Sequence, residues 1–110
     1  MARGATGGVI ASSGNVFADM GLPDAAELDT KARLGAAINR IVKRRGLTQA
    51  EVATALEINQ PKVSALLHYK LEGFSVERLM RFLVALGQDV EIVVRAKPRS
   101  RSARIAVCAA

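Results

Sequence analysis

Between Thr48 and Lys70 a set of polar side chains stands at spacings that a short helix would turn outward: Thr48 and Gln49, then Gln60, Lys62, Ser64 and His68, with Lys70 just beyond. Their chemistry is hydrogen-bond recognition. A Gln amide both donates and accepts, so Gln60 can pair with the N6/N7 edge of adenine, Ser64 can take either role, and the Ala65 methyl can meet that of thymine. Lys62 can reach a guanine or a phosphate, and His68 and Lys70 fall where a helix would exit towards a phosphate backbone. Thr48 and Gln49 open a helix, where donors are aimed at anions with the helix dipole behind them. Each residue alone could equally be solvated surface; together they make a candidate binding face.

The same search finds no catalytic set. The chain has one histidine, His68, and one cysteine, Cys108, which cannot form a metal site or a nucleophile–base pair with supporting spacing. The glycine-rich GATGG near the N-terminus lacks the lysine and the strand-then-helix setting of a phosphate loop. The carboxylates are scattered over positions that read as solvent faces. No catalytic residue, cofactor or metal is expected.

Two short helices joined by a tight turn would position the polar set. In QAEVATALEINQPKVSALLH, Val52, Ala53 and Leu56 share one face at three- and four-residue spacings, Ile58 plugs the turn, and Val63, Leu66 and Leu67 repeat the spacing. Thr48 with Glu51 forms a capping box, so the first helix runs from there to about Glu57. Asn59 can cap the second, which tolerates Pro61 in its first turn and ends near His68–Tyr69. This is the layout of a helix-turn-helix.

Flanking elements complete a bundle. Asp24 and Glu27 suggest a capped start for a long helix from about 24 to 45, with Leu28, Ala32, Leu34, Ile38, Ile41 and Val42 as its apolar stripe and Gly46 as its stop. Asp29–Thr30 and Gly35 are possible breaks. Arg44 and Arg45 at its end either complement the dipole or contact phosphate. Beyond the loop YKLEGF, Ser75 caps a further helix to about Leu86, with Val76, Leu79, Met80, Leu83 and Val84 buried and Gly87 closing it. Asp89–Arg95 then alternates, with Val90, Ile92 and Val94 on one face, which predicts a strand. A lone strand is unstable, so the same strand of a second copy is its expected partner; the segment around Val16–Phe17 is the competing one.

The fold expectation is therefore mainly α: a bundle of four to five helices with a helix-turn-helix, plus one C-terminal strand paired across a dimer. Residues 1–14 read as a disordered tail, 15–95 as the domain and 96–110 as a second, basic tail. Val16, Phe17, Met20 and Leu22 would patch the core or serve a partner. The net charge of +6 is uneven: −3 over residues 1–30, +6 over 31–81 and +3 over 82–110. A basic middle behind an acidic front suits a polyanion partner for the middle and leaves the front for another task. With a single cysteine and no apolar run of membrane-spanning length, a cytoplasmic location is expected.

GLTQAEVATALEINQPKVSALL resembles the helix-turn-helix of phage Cro/repressor-type regulators, the Xre-like superfamily. The longer run GNVFADMGLPDAAEL…FSVERLMRFLVALGQDVEI is similar to a compact subfamily of small transcriptional regulators and of antitoxins from ribonuclease toxin–antitoxin pairs. The resemblance covers roughly residues 14–95. It implies a homodimeric repressor on a palindromic, double-stranded DNA operator, with Gln49 clamping a phosphate and Gln60, Lys62, Ser64, Ala65 and His68 facing the DNA. In the antitoxin branch it implies a ribonuclease toxin as partner and regulation of the chain's own operon. The competing expectation is a protein-interaction module that has lost DNA contact. Two positions depart from the family pattern: Glu57 stands where such turns place glycine for its positive φ, and Pro61 replaces a potential base-reading side chain.

Overall fold

The computed structural model describes residues 25–109. Among them lie four helices: α1 over Ala25–Arg45, α2 over Gln49–Leu56, α3 over Gln60–Leu67 and α4 over Val76–Ala85. Residues 31–90 form one compact unit, while 25–30 and 91–108 belong to another. The expectations for residues 1–24, including the apolar anchors at Val16 to Leu22 and the Asp24 cap, lie outside the described residues.

Helix α1 runs unbroken through both suspected breaks. Glycine within a helix costs about 1 kcal/mol relative to alanine, and at Gly35 the missing side chain is used. A Cβ there would stand 3.3 Å from Leu71 Cδ1 and 3.5 Å from the Tyr69 ring, so the notch lets the segment after α3 lie against α1.

The core of the 31–90 unit draws on every helix. Ile38 from α1, Val52 from α2, Val63 and Leu66 from α3 and Leu79 from α4 are wholly buried, with Leu34, Ile41, Leu56, Phe82, Leu83 and Leu86 close behind. Helix α2 packs mainly on α3 and more lightly on α4. The loop between α3 and α4 contributes two buried side chains of its own, Leu71 and Phe74.

Three stripe assignments need correction. Leu28 is 56% exposed and Val84 59% exposed, although both were expected inside. At ~100° per residue, Leu28 lies about 80° around the helix from Ile38, and Val84 about 140° from Leu79. Ala32, also expected inside, is exposed for the same reason, and Ala37 is buried instead. In α4 the buried arc is Leu79, Phe82, Leu83 and Leu86, while Val76 and Met80 are only half-buried.

All four helices stop by the same device. A residue in the left-handed region turns the chain, and the next amide bonds to the carbonyl five residues back: Leu47 to Val42 at 3.0 Å, Ile58 to Ala53 at 3.1 Å, Lys70 to Ala65 at 2.8 Å and Gln88 to Leu83 at 3.0 Å. The turning residues are Gly46 (φ +64°), Glu57 (φ +58°), Tyr69 (φ +62°) and Gly87 (φ +84°).

The strand expected over Asp89–Arg95 is absent: residues 88–98 have no regular secondary structure, and Ile92 and Val93 are 51% and 41% exposed. Alternation marks a chain that can pair, but a strand exists only through ladder bonds to a neighbour. No described residue supplies them. The alternative partner, the Val16–Phe17 segment, lies outside the described residues.

Candidate nucleic-acid interface

The caps that aim the motif are formed as the local sequence requires. Thr48 Oγ1 accepts from the Glu51 amide at 3.1 Å and Glu51 Oε1 accepts from the Thr48 amide at 2.8 Å, closing a reciprocal box at the start of α2. Asn59 Oδ1 accepts from the Lys62 amide at 2.9 Å, and Pro61 sits in the first turn of α3, where it breaks no intrahelical bond. The turn between the helices rests on Glu57 in a left-handed conformation (φ 58°, ψ 44°), the strained non-glycine position anticipated from the sequence.

The expected recognition residues fall on α3 as follows. Gln60, Lys62 and His68 are exposed, and Ser64 and Ala65 half-buried. Val63 and Leu66 define the inward side. On a 3.6-residue helix the line opposite them runs through Pro61 and His68, with Ser64 and Ala65 about 50° to either side and Gln60 about 90° away, at one edge of the face. Lys62 lies roughly 110° from the middle of that line, at the edge of the face.

His68 closes α3 and points its ring back at the helix, with Nδ1 2.8 Å from the Ser64 carbonyl oxygen. Only a protonated Nδ1 can donate there, which leaves Nε2 directed away from that bond. Gln49, in the first turn of α2, and Lys70, after α3, are both exposed. The Thr48 hydroxyl already holds the Glu51 amide, so towards a ligand it has only its own proton to give.

The two arginines at the end of α1 part company. Arg44 is exposed and has no partner among the described residues. Arg45, also expected to contact phosphate, instead donates from Nη1 to the Leu86 carbonyl at 2.7 Å. That carbonyl belongs to the end of α4, where unpaired oxygens and the dipole favour a cation. Arg45 thus ties α1 to the end of α4 through one of its five N–H donors, and the residue itself stays exposed.

A second scaffold device was not foreseen. Arg78 lies 5.5 Å from the ring centres of both Phe74 and Phe82, which meet edge to face at 5.7 Å. The cation and two rings pin the α3–α4 loop to α4. The spacing of Phe74, Arg78 and Phe82, four residues apart, was the available signal. Tyr69 was missed as well; its left-handed backbone had no Gly or Asn to announce it.

Among the described residues no cluster of His, Cys, Asp or Glu could hold a metal ion, and no helix is long and apolar enough to cross a membrane.

Residues 16–95 match the model of a family described as a helix-turn-helix domain. A solved structure described as a "Putative XRE Family Transcriptional Regulator" is 65% identical to the chain over 80% of its length and the whole of that structure, with a TM-score of 0.77. No curated protein matches. With its caps, its packed helix pair and these similarities, the chain belongs to the Xre-like helix-turn-helix family.

Proposed function

We propose that this protein is a sequence-specific DNA-binding transcriptional regulator whose α3 enters the major groove. The observation that carries the reading is the row of Gln60, Ser64 and His68 at four-residue spacing on α3 and its cap, with Gln60 and His68 exposed and Ser64 half-buried, held by a capped, close-packed partner helix. Gln60, at the leading end, has the amide chemistry to read adenine, Ser64 adds a second contact and Ala65 an apolar one. Lys62, Gln49, Arg44, Lys70 and the Thr48 hydroxyl proton would hold phosphates around them. Pro61 leaves one outward position without a polar group, so discrimination rests on few side chains. This function requires no catalytic group, and the 65% identity to a structure described as a transcriptional regulator supports it.

The regulator acts as a homodimer on a palindrome with half-sites about one helical turn apart. Support comes from the alternation of Val90, Ile92 and Val94 in a segment with no ladder partner among the described residues and with Ile92 half-exposed. A second copy would supply the missing edge. A sedimentation measurement giving a stable monomer at micromolar concentration rejects this part alone.

An antitoxin role is the finer reading. It is favoured by the acid-rich first 30 residues, net −3, which complement a basic ribonuclease. A purified neighbouring ribonuclease that fails to co-elute with this chain rejects it.

Titration of the chain onto duplexes tiled across its upstream promoter tests the central proposal. Gln60→Ala should lower affinity for the preferred duplex by about 1–3 kcal/mol and leave random DNA unaffected. Equal binding to all duplexes, before and after the substitution, rejects sequence-specific reading.

A further inference from the structure

Outside the helix-turn-helix the most strongly charged stretch is residues 95–104, which holds Arg95, Lys97, Arg99, Arg101 and Arg104; no acid occurs from residue 92 to the end. All five side chains are exposed. None is in an ion pair with a described residue, and the one side-chain bond among them runs from Arg101 Nη1 to the neighbouring Ser102 carbonyl at 3.1 Å. The segment is irregular, with a turn at Arg99–Ser100. By contrast, Arg45, Arg78 and Arg81 each have a protein partner: a carbonyl, two rings and a carboxylate respectively.

We infer that residues 95–104 are a second DNA-binding element, an arm that lies along the phosphate backbone outside the base pairs read by α3. The inference rests on the DNA reading above. Five like charges within ten residues repel one another in the free chain, and a polyanion relieves that repulsion. The intervening residues are Ala96, Pro98, Ser100, Ser102 and Ala103, all small or slender, so the arm can approach a surface along its length. When the chain is extended, alternate residues recur at about 6.6 Å. That is close to twice the axial rise of about 3.4 Å per phosphate on one strand. There is no aromatic side chain with which to stack on unpaired bases, so single-stranded nucleic acid is the poorer fit. Nine residues, and so ten chain steps, separate Ala85, the end of α4, from Arg95. They can span up to about 35 Å, roughly one turn of duplex.

Such an arm adds affinity without sequence preference and makes binding steeper in salt. The test compares the full chain with a variant carrying Arg95→Gln, Lys97→Gln, Arg99→Gln, Arg101→Gln and Arg104→Gln, on the preferred promoter duplex and on random DNA of equal length. With about 0.9 counterions released per phosphate contact, the slope of log affinity against log salt should become shallower by about four on both duplexes. The ratio of the two affinities should stay unchanged. Thermal unfolding should also be unchanged, because none of the five side chains is buried. A slope change below one, with parent binding intact, overturns the arm and leaves the α3 reading standing. Parent chain that binds no duplex at low salt overturns both. Loss of binding to vesicles rich in anionic lipid, with DNA binding unaltered, overturns the arm in favour of a membrane-surface contact.

Discussion

Helices α1 and α4 end on Gly46 and Gly87, while α2 and α3, the pair that would meet DNA, end on Glu57 and Tyr69. The backbone geometry is the same in all four: φ is positive and the following amide reaches five residues back. The energetics differ. Glycine enters the left-handed region freely, whereas another L-residue pays roughly 1–2 kcal/mol. The scaffold helices are thus stopped without strain and the motif helices are stopped against it. At Tyr69 a compensation is visible, since the ring lies in the Gly35 notch of α1. Glu57 is exposed, and no side-chain hydrogen bond or ion pair ties it to a described residue. The two strained stops are therefore unequal: one is tied to packing and the other is held only by the helices around it.

If packing holds the motif in its strained turns, the largest loss should come from the core beneath them. Leu66 is fully buried on α3, and its carbonyl accepts from the Tyr69 amide. Leu66→Ala should destabilise by about 2–5 kcal/mol in urea titration. A cost no greater than that of the turn substitutions below would mean that packing does not dominate.

Next in size is Gly87→Val. A side chain there meets nothing within 4 Å, so the whole effect is backbone, about 1–2 kcal/mol of lost stability. A neutral result in thermal unfolding would show that the stop can relax, and would erase the distinction between the two kinds of helix end.

Reversing the comparison gives a smaller effect of opposite sign. Glu57→Gly should stabilise by about 0.5–1 kcal/mol, the relieved strain less the added entropy of the unfolded chain. Tyr69→Gly relieves similar strain but empties the Gly35 notch, so it should give no gain. Equal stabilisation by both would deny the Tyr69 ring its compensating role. Smallest of all, Glu77→Ala removes the exposed Arg81–Glu77 pair at 2.8 Å, and should cost no more than about 0.5 kcal/mol.

What could be read from the sequence was what is decided locally. Thr48 with Glu51, Asn59 before Pro61, and Ser75 each announce a helix start within four residues, and each forms the bond expected of it. Glu57 could be identified as strained because the family that the motif resembles places glycine at that turn position. Burial was harder. Leu28 and Val84 are apolar but off the buried arcs, which depend on how the helices meet. Arg45 shows the same limit for the candidate site: its place in the sequence fits a phosphate, and its partner at Leu86 is apparent only once α4 folds back. The alternation at Val90–Val94 describes a capacity to pair, and pairing is a property of two segments.

The Arg45–Leu86 bond also bears on the order of assembly. The caps of α2, α3 and α4 and the stops of the four described helices close over a handful of residues, whereas this bond joins positions 41 apart. Local closures form early, and the entropy of closing a long loop is met only when the chain is nearly native. Arg45 should therefore contribute little to the folding transition state. Arg45→Ala should raise the unfolding rate and leave the folding rate almost unaltered, so the end-to-end tie acts as a latch on residence time in the folded state.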